Sequence, residues 1–396
     1  MENGIGEWER FSKLLDKHKD NDETGYLKSL NIIIGNSDHE KYVLQMQNLG
    51  KKVLFLTGNR AMRHYGFLEL YKRLFRENGF EVSHYDNISS NPTLKQMEGG
   101  IDVAKSFEPD FIFALGGGSV IDTAKVISAG LFGNVWDFVE KKETVERALP
   151  IVASATTSGT GSQLTPYAVI TNTDTLEKKT LKHELLLPKI SVADVDIVND
   201  MPKPVIASTG FDVLCHAAEV YTRTDCTPTG KEFAVRAMEM VREHLVASYN
   251  SDSDDNKVGM IYADMYAGIA LALIGTHVPH AISHPISARF PNINHGMSLA
   301  YVNSETAKKM IEKGNPELNE KFRYISEVLG GSSDFVRTIM NYAKLLDMNR
   351  RHEFIAEDCE SIYLDTIGYR KGSVDRSPVR LTNVDVKDII YNSLMK

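Results

Sequence analysis

Cysteine is scarce in this chain of 396 residues, which contains only Cys215, Cys226 and Cys359. The three form no CxxC pair and their number is odd, so we do not expect a disulfide framework. This composition fits a reducing compartment, and we expect a cytoplasmic protein.

Long hydrophobic runs are also missing from the sequence. The longest, AGIALALIG at residues 267–275, is about half as long as a membrane span. The first 23 residues carry charges throughout and lack the apolar segment of a signal peptide. We therefore expect a protein that neither spans a membrane nor is exported by a signal peptide.

Positive charge is in deficit, with 45 Lys and Arg against 53 Asp and Glu and a net charge of −8. A protein that binds nucleic-acid phosphates normally shows a basic face, so we expect no nucleic-acid partner. Hydrophobic residues make up 42% of the chain and charged residues 25%, as in ordinary globular proteins. A length of 396 residues exceeds what one core usually holds and predicts two domains.

Strand and helix patterns alternate in the first half of the chain. Strands are predicted at KVLFLT (52–57), EVSHYD (81–86), FIFAL (111–115) and ALPIVASAT (148–156), with helices at LELYKRLFRENG and LKQMEGGIDVAKSF. Two more strands are predicted within AVITNTD and LLPKISVADVDIV. This alternation predicts an α/β domain with a parallel sheet.

A change of texture near MPKPV (201–205) marks the predicted domain boundary. We assign residues 1–202 to the α/β domain, including a polar preamble of about residues 1–28 whose structure the sequence leaves open. Residues 203–396 show long helical periodicities, and we expect an all-α domain there.

A run of glycines, LGGGSVIDTAK (115–125), follows a predicted buried strand and opens a helix. Glycine lets backbone N–H groups approach a diphosphate, which the helix N-terminus attracts. The run fits neither GxGxxG nor GxxxxGK[ST], so a tight structural turn is the alternative. A second small-polar loop, ATTSGTGS (155–162), follows the next strand and favours a ligand crevice at this edge of the sheet.

An acidic residue and several histidines lie in the apolar helical half. Asp212 and His216 are four residues apart in GFDVLCHAAEVY, so both point to one helix face. His277, His280, His284 and His295 follow within nineteen residues. Each alone is better explained as a hydrogen-bonded core residue. Together they favour a divalent metal site, since carboxylate and imidazole suit Zn²⁺ or Fe²⁺.

Four ordered segments, GGGSVIDTAK, ATTSGTGSQLTPYAVIT, STGFDVLCHAAEVY and HAISHPISARFPNINHG, resemble the iron-containing (group III) alcohol dehydrogenase family. The resemblance runs from about Lys51 to the C-terminus. It implies an α/β nicotinamide-dinucleotide-binding domain and an α-helical metal domain, with the metal and the nicotinamide meeting in a cleft between them.

The resemblance also implies roles for individual residues. The metal ligands fall on Asp212, His216, His280 and His295, and His284 lies near the nicotinamide, where it is the candidate proton relay; a near-neutral pKa would suit this role. His277 has no counterpart and is expected to be structural or pocket-lining. The implied cofactor contacts are Asn91, Gly117, Gly118, Ser119, Asp122, Thr156, Thr157, Thr165 and Lys178, with Lys179 beside Lys178 leaving that last choice open.

Two places depart from the family pattern. The last ligand is preceded by Asn294 where the family usually has Pro in a Pro-His-Gly motif, and its spacing from His280 is one residue longer. After the first strand, where NAD-using members often carry an aspartate, this chain reads Gly58-Asn59-Arg60. An acidic residue would repel a 2′-phosphate, whereas Asn59 or Arg60 could bind it, so NADP(H) is favoured over NAD(H). The alternative is that Gly58 permits a turn and Arg60 is solvated.

The resulting prediction is a metal-dependent oxidoreductase that transfers a hydride between NAD(P)H and a small aldehyde or primary alcohol, with Fe²⁺ or Zn²⁺ as the metal. Family habit suggests a homodimer. Arg289 is either a solvated residue or an anchor for an anionic substrate, which keeps a phosphonoacetaldehyde-type reductase as an alternative. A dehydroquinate-synthase-like lyase lacks the basic set it needs here, and a non-enzymatic metal- or nucleotide-binding protein fits poorly.

Overall fold

The computed structural model describes residues 2–20, 22, 24–35, 38–198, 201–251, 253–349 and 352–395, with side chains from residue 6 onwards. The chain forms two compact units. The first comprises Met1–Asp174 and Lys179–Met201, and the second comprises Thr175–Lys178 and Pro202–Lys396.

The described part of the chain before Pro202 contains eight strands and nine α-helices, all in the first unit except the first two residues of β7. The strands are β1 (Ile32–Gly35), β2 (Lys52–Thr57), β3 (Glu81–Tyr85), β4 (Phe111–Gly116), β5 (Ile151–Ala155), β6 (Tyr167–Asn172), β7 (Glu177–Lys182) and β8 (Ile190–Asp194). The helices are α1 (Glu2–Lys19), α2 (Tyr26–Ser29), α3 (His39–Gln45), α4 (Ala61–His64), α5 (Phe67–Glu77), α6 (Leu94–Phe107), α7 (Gly118–Gly130), α8 (Val135–Val139) and α9 (Val195–Val198).

Six of these strands form one parallel sheet in the order β1-β8-β5-β4-β2-β3. Side chains alternate between its faces, so Leu54 and Leu56 pack in one buried cluster with α6 and α7, whereas Phe55 packs in another with α3 and α5. Burial on both faces explains why the central strands are continuous apolar runs. The predicted parallel α/β sheet is confirmed.

The strand order reverses between β2 and β4. The chain passes from β2 outward to β3 and then returns to place β4 on the other side of β2. Thr57 and Leu115 are partners in the register, so the glycine loop after β4 and Gly58 after β2 leave the sheet at the same edge. Open parallel sheets bind ligands at such a switch point.

Three local features differ from or extend the sequence expectations. The AVITN segment does not join the main sheet, because β6 pairs with β7 in a separate two-stranded sheet. The edge strand β1, which the patterns did not predict, pairs with β8. The polar preamble contains a helix, α1, whose apolar face buries Phe11 and Leu15.

From Pro202 onwards, the described residues contain helices and no strand. The helices are α10 (Lys203–Thr222), α11 (Pro228–Asn250), α12 (Asp254–Ile274), α13 (Val278–Arg289), α14 (His295–Lys313), α15 (Pro316–Val328), α16 (Phe335–Leu345), α17 (Ala356–Ile367), α18 (Lys371–Val374) and α19 (Asn383–Leu394). Prolines in the first turn start α10, α11, α13 and α15, where a missing N–H costs nothing.

The core of the second unit is built from α10, α11 and α12, which pack on one another. Helix α12 has the length and composition to cross a membrane, but 78% of its apolar window is buried within the protein. This burial is typical of a core helix, which is apolar all round because neighbours surround it.

Candidate metal centre and cofactor loops

Three imidazole nitrogens of the second unit converge on one carboxylate oxygen. The Nε2 atoms of His280, His216 and His295 lie 3.2, 3.5 and 3.8 Å from Asp212 Oδ1. The rings of His216 and His280 are stacked, with centroids 4.7 Å apart. The four side chains implied by the family resemblance are therefore brought together at one place, where Asp212, His216 and His280 are buried and His295 is partly exposed.

These distances fit the coordination shell of one divalent ion. Ligand atoms around a tetrahedral ion with bonds of about 2.0–2.1 Å lie about 3.3 Å apart. Donor atoms of Asp212, His216 and His280 all lie within 4.8 Å of one another, and His295 extends the set. One carboxylate and three imidazoles are also the donor chemistry that Fe²⁺ and Zn²⁺ accept. The residues present therefore fit a bound metal.

Helix geometry accounts for this convergence. Asp212 and His216 are one turn apart on α10, and His280 is in the first turn of α13. His295 is the first residue of α14, whose N-terminus is fixed against α10. Ser208, one turn before Asp212, donates from its Oγ to Asn294 Oδ1 at 2.9 Å.

Asn294, which departs from the family pattern, and Gly296, which keeps it, have clear structural roles. The Asn294 side chain caps α14 by accepting from the N–H of Met297. A Cβ on Gly296 would lie 2.0 Å from the Ser208 carbonyl oxygen, so only glycine allows this contact between α14 and α10. The two flanking residues therefore hold His295 firmly beside Asp212.

Glu219 is a buried residue of the centre that sequence reasoning missed. Its carboxylate accepts from His280 Nδ1 at 2.6 Å and from the backbone N–H of His277 at 2.8 Å. Glu219 lies seven residues after Asp212, on the same face of α10. This spacing is the feature of the sequence that could have identified it as part of the site. His277 itself bonds Thr222 Oγ1 through Nε2 at 3.0 Å, so it is structural, one of the two expected outcomes.

Burial and neighbouring charges set the protonation of the cluster. Burial opposes the charged form of His280, but the Glu219 carboxylate and Asp212 raise its pKa to about 9. Burial lowers the pKa of His284 well below its usual range, and the charge of Arg370 lowers it further. This environment favours the neutral form of the His284 imidazole.

The two adjacent lysines of β7 have different surroundings. Lys179 Nζ pairs with Glu140 at 2.6 Å and lies over the Trp136 ring. The backbone N–H of Lys178 donates to Tyr369, and its positive charge lowers the pKa of His284 and His295. Lys178 is thus the lysine beside the histidine cluster.

In the first unit, the glycine loop packs tightly on the second small-polar loop. A Cβ on Gly117 would lie 2.9 Å from Thr157 Oγ1, and one on Gly118 would lie 2.6 Å from Thr160. Gly117 caps the N-terminus of α7 and Gly118 is the first residue of this 13-residue helix. The two loops therefore form one surface at the sheet edge, where helix N–H groups point outward.

Asp122 and Ser119 are committed to contacts within the first unit. Asp122 accepts from Ser162 Oγ at 2.6 Å and from the N–H of Val169 at 2.9 Å. Ser119 donates from its hydroxyl to the Ser90 carbonyl at 2.6 Å, which joins the loop to the segment containing Asn91. These side chains shape the loops and leave backbone groups for a ligand.

Other predicted cofactor contacts follow β5 and β2 in the chain. Thr156 and Thr165 are buried after β5, and the N–H of Thr156 donates to Gly116. Asn59 and Arg60 are exposed after β2, and Arg60 precedes the short helix α4. A Cβ on Gly58 would meet only Val120, at 3.9 Å, so this position has room for a side chain.

Arg289 forms an ion pair instead of being free in solvent. Its Nε lies 2.7 Å from Asp365 Oδ2, and both side chains are largely buried. This pairing differs from the solvated arginine expected first.

A parallel sheet with a glycine loop at its switch point, and a helical unit with a buried carboxylate–imidazole cluster, are together the hallmarks of metal-dependent nicotinamide dehydrogenases. Residues 30–195 match the model of the iron-containing alcohol dehydrogenases, and residues 206–356 match that of the C-terminal domain of Fe-containing alcohol dehydrogenases. This chain belongs to the iron-containing alcohol dehydrogenase family and is an oxidoreductase.

Relatives of known activity support this assignment. The chain is 33% identical to the NADPH-dependent butanol dehydrogenase of Clostridium saccharobutylicum, over 68% of this chain and 71% of the relative. It is 29% identical to the NAD-dependent methanol dehydrogenase of Bacillus methanolicus, over 75% and 78%. The crystal structure of an archaeal halo-thermophilic alcohol dehydrogenase from a Red Sea brine pool superposes with a TM-score of 0.89 at 32% identity, covering 92% of this chain and 97% of the other.

Proposed function

We propose that this protein interconverts small aldehydes and primary alcohols with NADP(H), at a divalent metal held by Asp212, His216, His280 and His295. The observation that carries the proposal is the convergence of three imidazole nitrogens on one oxygen of Asp212, at 3.2–3.8 Å. A bound Fe²⁺ or Zn²⁺ would act as a Lewis acid toward the substrate oxygen. The nicotinamide would supply or accept the hydride.

The protein's own residues do the remaining work. Glu219 fixes the proton of His280 on Nδ1, which leaves Nε2 facing Asp212 as a ligand atom. His284 lies on α13 one turn after His280, with their ring centroids 6.3 Å apart. As a neutral imidazole it can take a proton on one nitrogen and release one from the other, which suits a relay between substrate and solvent.

The preference for NADP(H) rests on the segment after β2. Arg60 is exposed, and its side chain makes no ion pair among the described residues. Gly58 places no negative charge where a ribose 2′-phosphate would approach. Relatives use either cofactor, since the butanol dehydrogenase named above is NADPH-dependent and the methanol dehydrogenase is NAD-dependent.

A cytoplasmic location and a homodimer belong to the same proposal. Support for a reducing compartment comes from Cys215, Cys226 and Cys359, which are free thiols. The homodimer rests on the habit of the family, and sedimentation of the purified protein would test it.

The test of the metal site is His280→Ala. We expect the purified variant to lose bound metal and at least about 1,000-fold in turnover, because a ligand and the Lewis acid are lost together. Binding of NADPH, followed by fluorescence titration, should change less than threefold. His244→Ala, which removes an imidazole from α11 in the same unit, is the matched control. Turnover that persists in metal-free wild-type protein contradicts the proposal.

A further inference from the structure

Arg370, in the second unit, has an unsatisfied guanidinium donor. It lies between α17 and α18, and both helices pack against α13, which carries His280 and His284. The guanidinium Nε of Arg370 is buried and has no acceptor. Its Nη2 donates only to the neutral hydroxyl of Ser373, at 3.1 Å. Among the described residues, Arg370 has no carboxylate partner.

A charged guanidinium with a buried, unsatisfied N–H requires an explanation. Burial lowers the pKa of Arg370 to about 10, so the side chain stays cationic at neutral pH. The Arg370 side chain is only partly exposed and its Nε is buried, and an unsatisfied buried donor is rare unless function retains it. Arg289, in the same unit, is by contrast paired with Asp365 at 2.7 Å.

The nearby carboxylates of the second unit already have partners. Asp365 pairs with Arg289, Asp375 with Lys371 at 2.6 Å, and Glu219 with His280 and His277. These carboxylates therefore form no direct ion pair with Arg370, although the charge of Glu219 favours its cationic form. An anion bound from outside the chain would supply the missing partner of Nε.

The unsatisfied donor lies in the surroundings of the proposed active site. Arg370 is held between two helices that contact α13, the helix of His280 and His284. His284 Nδ1 and His295 Nδ1 are buried without hydrogen-bond partners, and the two rings lie 5.4 Å apart. The unsatisfied Nε of Arg370 and these two unsatisfied nitrogens thus belong to neighbouring elements of the proposed active site.

We propose that Arg370 binds an anionic group of the substrate, and that this enzyme acts on aldehydes carrying a small oxyanion such as a carboxylate, sulfonate or phosphonate. The guanidinium fork matches the paired oxygens of such groups, and the partnerless Nε is the donor that would be satisfied. This inference rests on the proposed aldehyde–alcohol activity and narrows its substrate class.

The test compares aldehydes of matched shape with and without charge. Phosphonoacetaldehyde and 3,3-dimethylbutanal differ mainly in PO₃²⁻ against C(CH₃)₃, and succinic semialdehyde and pentanal form a second pair. With metal-loaded enzyme and saturating NADPH, we expect kcat/KM to be higher for the anionic member of at least one pair. Arg370→Gln should lower kcat/KM for that anionic aldehyde by about 10- to 100-fold and change the neutral one less than threefold. Arg370→Lys should restore part of the loss.

Controls separate the possible outcomes. Arg376→Gln removes an exposed positive charge close enough to lower the pKa of Arg370, and we expect less than a threefold effect from it. Equal losses for charged and neutral aldehydes in Arg370→Gln, or a raised KM for NADPH alone, would overturn the inference by making Arg370 a structural residue or a cofactor contact. Wild-type activity that ignores charge also overturns it. Absence of turnover with every aldehyde and both cofactors would instead refute the proposed function.

Discussion

The carboxylate of Glu219 touches no proposed substrate, yet it fixes the orientation of a proposed ligand. It holds His280 Nδ1 at 2.6 Å, while His280 Nε2 lies 3.2 Å from Asp212. An imidazole anchored at one nitrogen loses little freedom when the other binds a metal. A single buried side chain can therefore control the affinity of a centre in which it is not a ligand.

Replacing this carboxylate should weaken metal binding without unfolding the protein. We expect Glu219→Gln, which keeps the size but removes the charge, to raise the Kd for Zn²⁺ or Co²⁺ by about 10- to 100-fold. Chelator competition measures the Kd, and the visible spectrum of the Co²⁺ form reports the ligand geometry. Glu243→Gln, on the exposed side chain of α11, is the matched control. Unchanged affinity and spectrum would mean that Glu219 only packs.

Cofactor choice can be tested at Gly58. A side chain has space there, because an added Cβ meets only Val120 at 3.9 Å. We expect Gly58→Asp to lower kcat/KM for NADPH at least tenfold through repulsion of the 2′-phosphate, and to leave the value for NADH within about threefold. Gly58→Asn has the same size without the charge and should spare NADPH. Equal effects of both variants on both cofactors would remove the electrostatic explanation.

At the scale of elements, the contact between α10 and α14 places His295 beside Asp212. The Ser208 backbone lies where a Cβ of residue 296 would be, at 2.0 Å, so the two helices touch only because residue 296 is glycine. The hydrogen bond from Ser208 Oγ to Asn294 stabilises this helix–helix contact, which we call the seam. Two helices that are far apart in sequence are thus fixed at the point where the ligands meet.

Gly296→Ala should break this seam. We expect α14 to shift outward, the protein to lose metal together with the contribution of His295, and Tm to fall by about 4 °C or more, since backbone in close contact yields little. Differential scanning calorimetry and metal analysis would measure both effects. Gly6→Ala in α1, where a Cβ meets nothing within 4 Å, is the control. A variant that keeps both its metal and its Tm would show that the seam is easily displaced.

Helices and strands with strong local sequence signals could be predicted, whereas the short strands and the pairing between strands could not. The helix expected from LKQMEGGIDVAKSF is α6, Leu94–Phe107, because Thr93 and Gln96 form a capping box and Glu108 ends it in a left-handed conformation. The strand β1 has only four residues, and β6 and β7 form a ladder of their own. Which strands pair is decided by tertiary contacts that a local pattern does not contain.

The same division holds for the candidate site. The spacing of Asp212 and His216 and the density of later histidines were visible in the sequence, and the structure brings Asp212, His216, His280 and His295 together. Glu219, in the apolar run AAEVY, resembled one polar residue of a core helix, and its contact with His280 appears only once α13 packs on α10. Arg370 was missed because its lack of partners is a property of the fold.

For the whole molecule, buried histidines predict a stability that falls in acid. Burial lowers the pKa of His277 and His84 to about 4 and that of His295 to about 3, against an ordinary value of 6.5. Their contribution is complete above about pH 6.5 and is lost as the pH falls toward 4, because only the unfolded chain takes up protons in that window. His280 acts oppositely, but its raised pKa of about 9 makes its contribution constant below pH 6.5.

We therefore expect the free energy of unfolding of metal-free protein to fall by about 2 kcal/mol or more between pH 7 and pH 5. Urea titrations followed by circular dichroism would measure it at several pH values. His84→Gln, on β3 of the first unit, should reduce the slope only modestly because His84 is partly exposed. A stability that rises toward pH 5 would contradict the neutral state of these histidines.

The division of the chain between its two units has a consequence for protein engineering at β7. Consecutive residues of a strand point to opposite faces. Here Lys178 contacts Tyr369 of the second unit, whereas Lys179 pairs with Glu140 of the first unit. Deleting one residue from the preceding turn would exchange the two lysines and deprive each unit of its contact. A fragment starting at Pro202 would lack the segment Thr175–Lys178, which packs with the second unit. A separately expressed metal domain therefore needs this segment supplied in some other form.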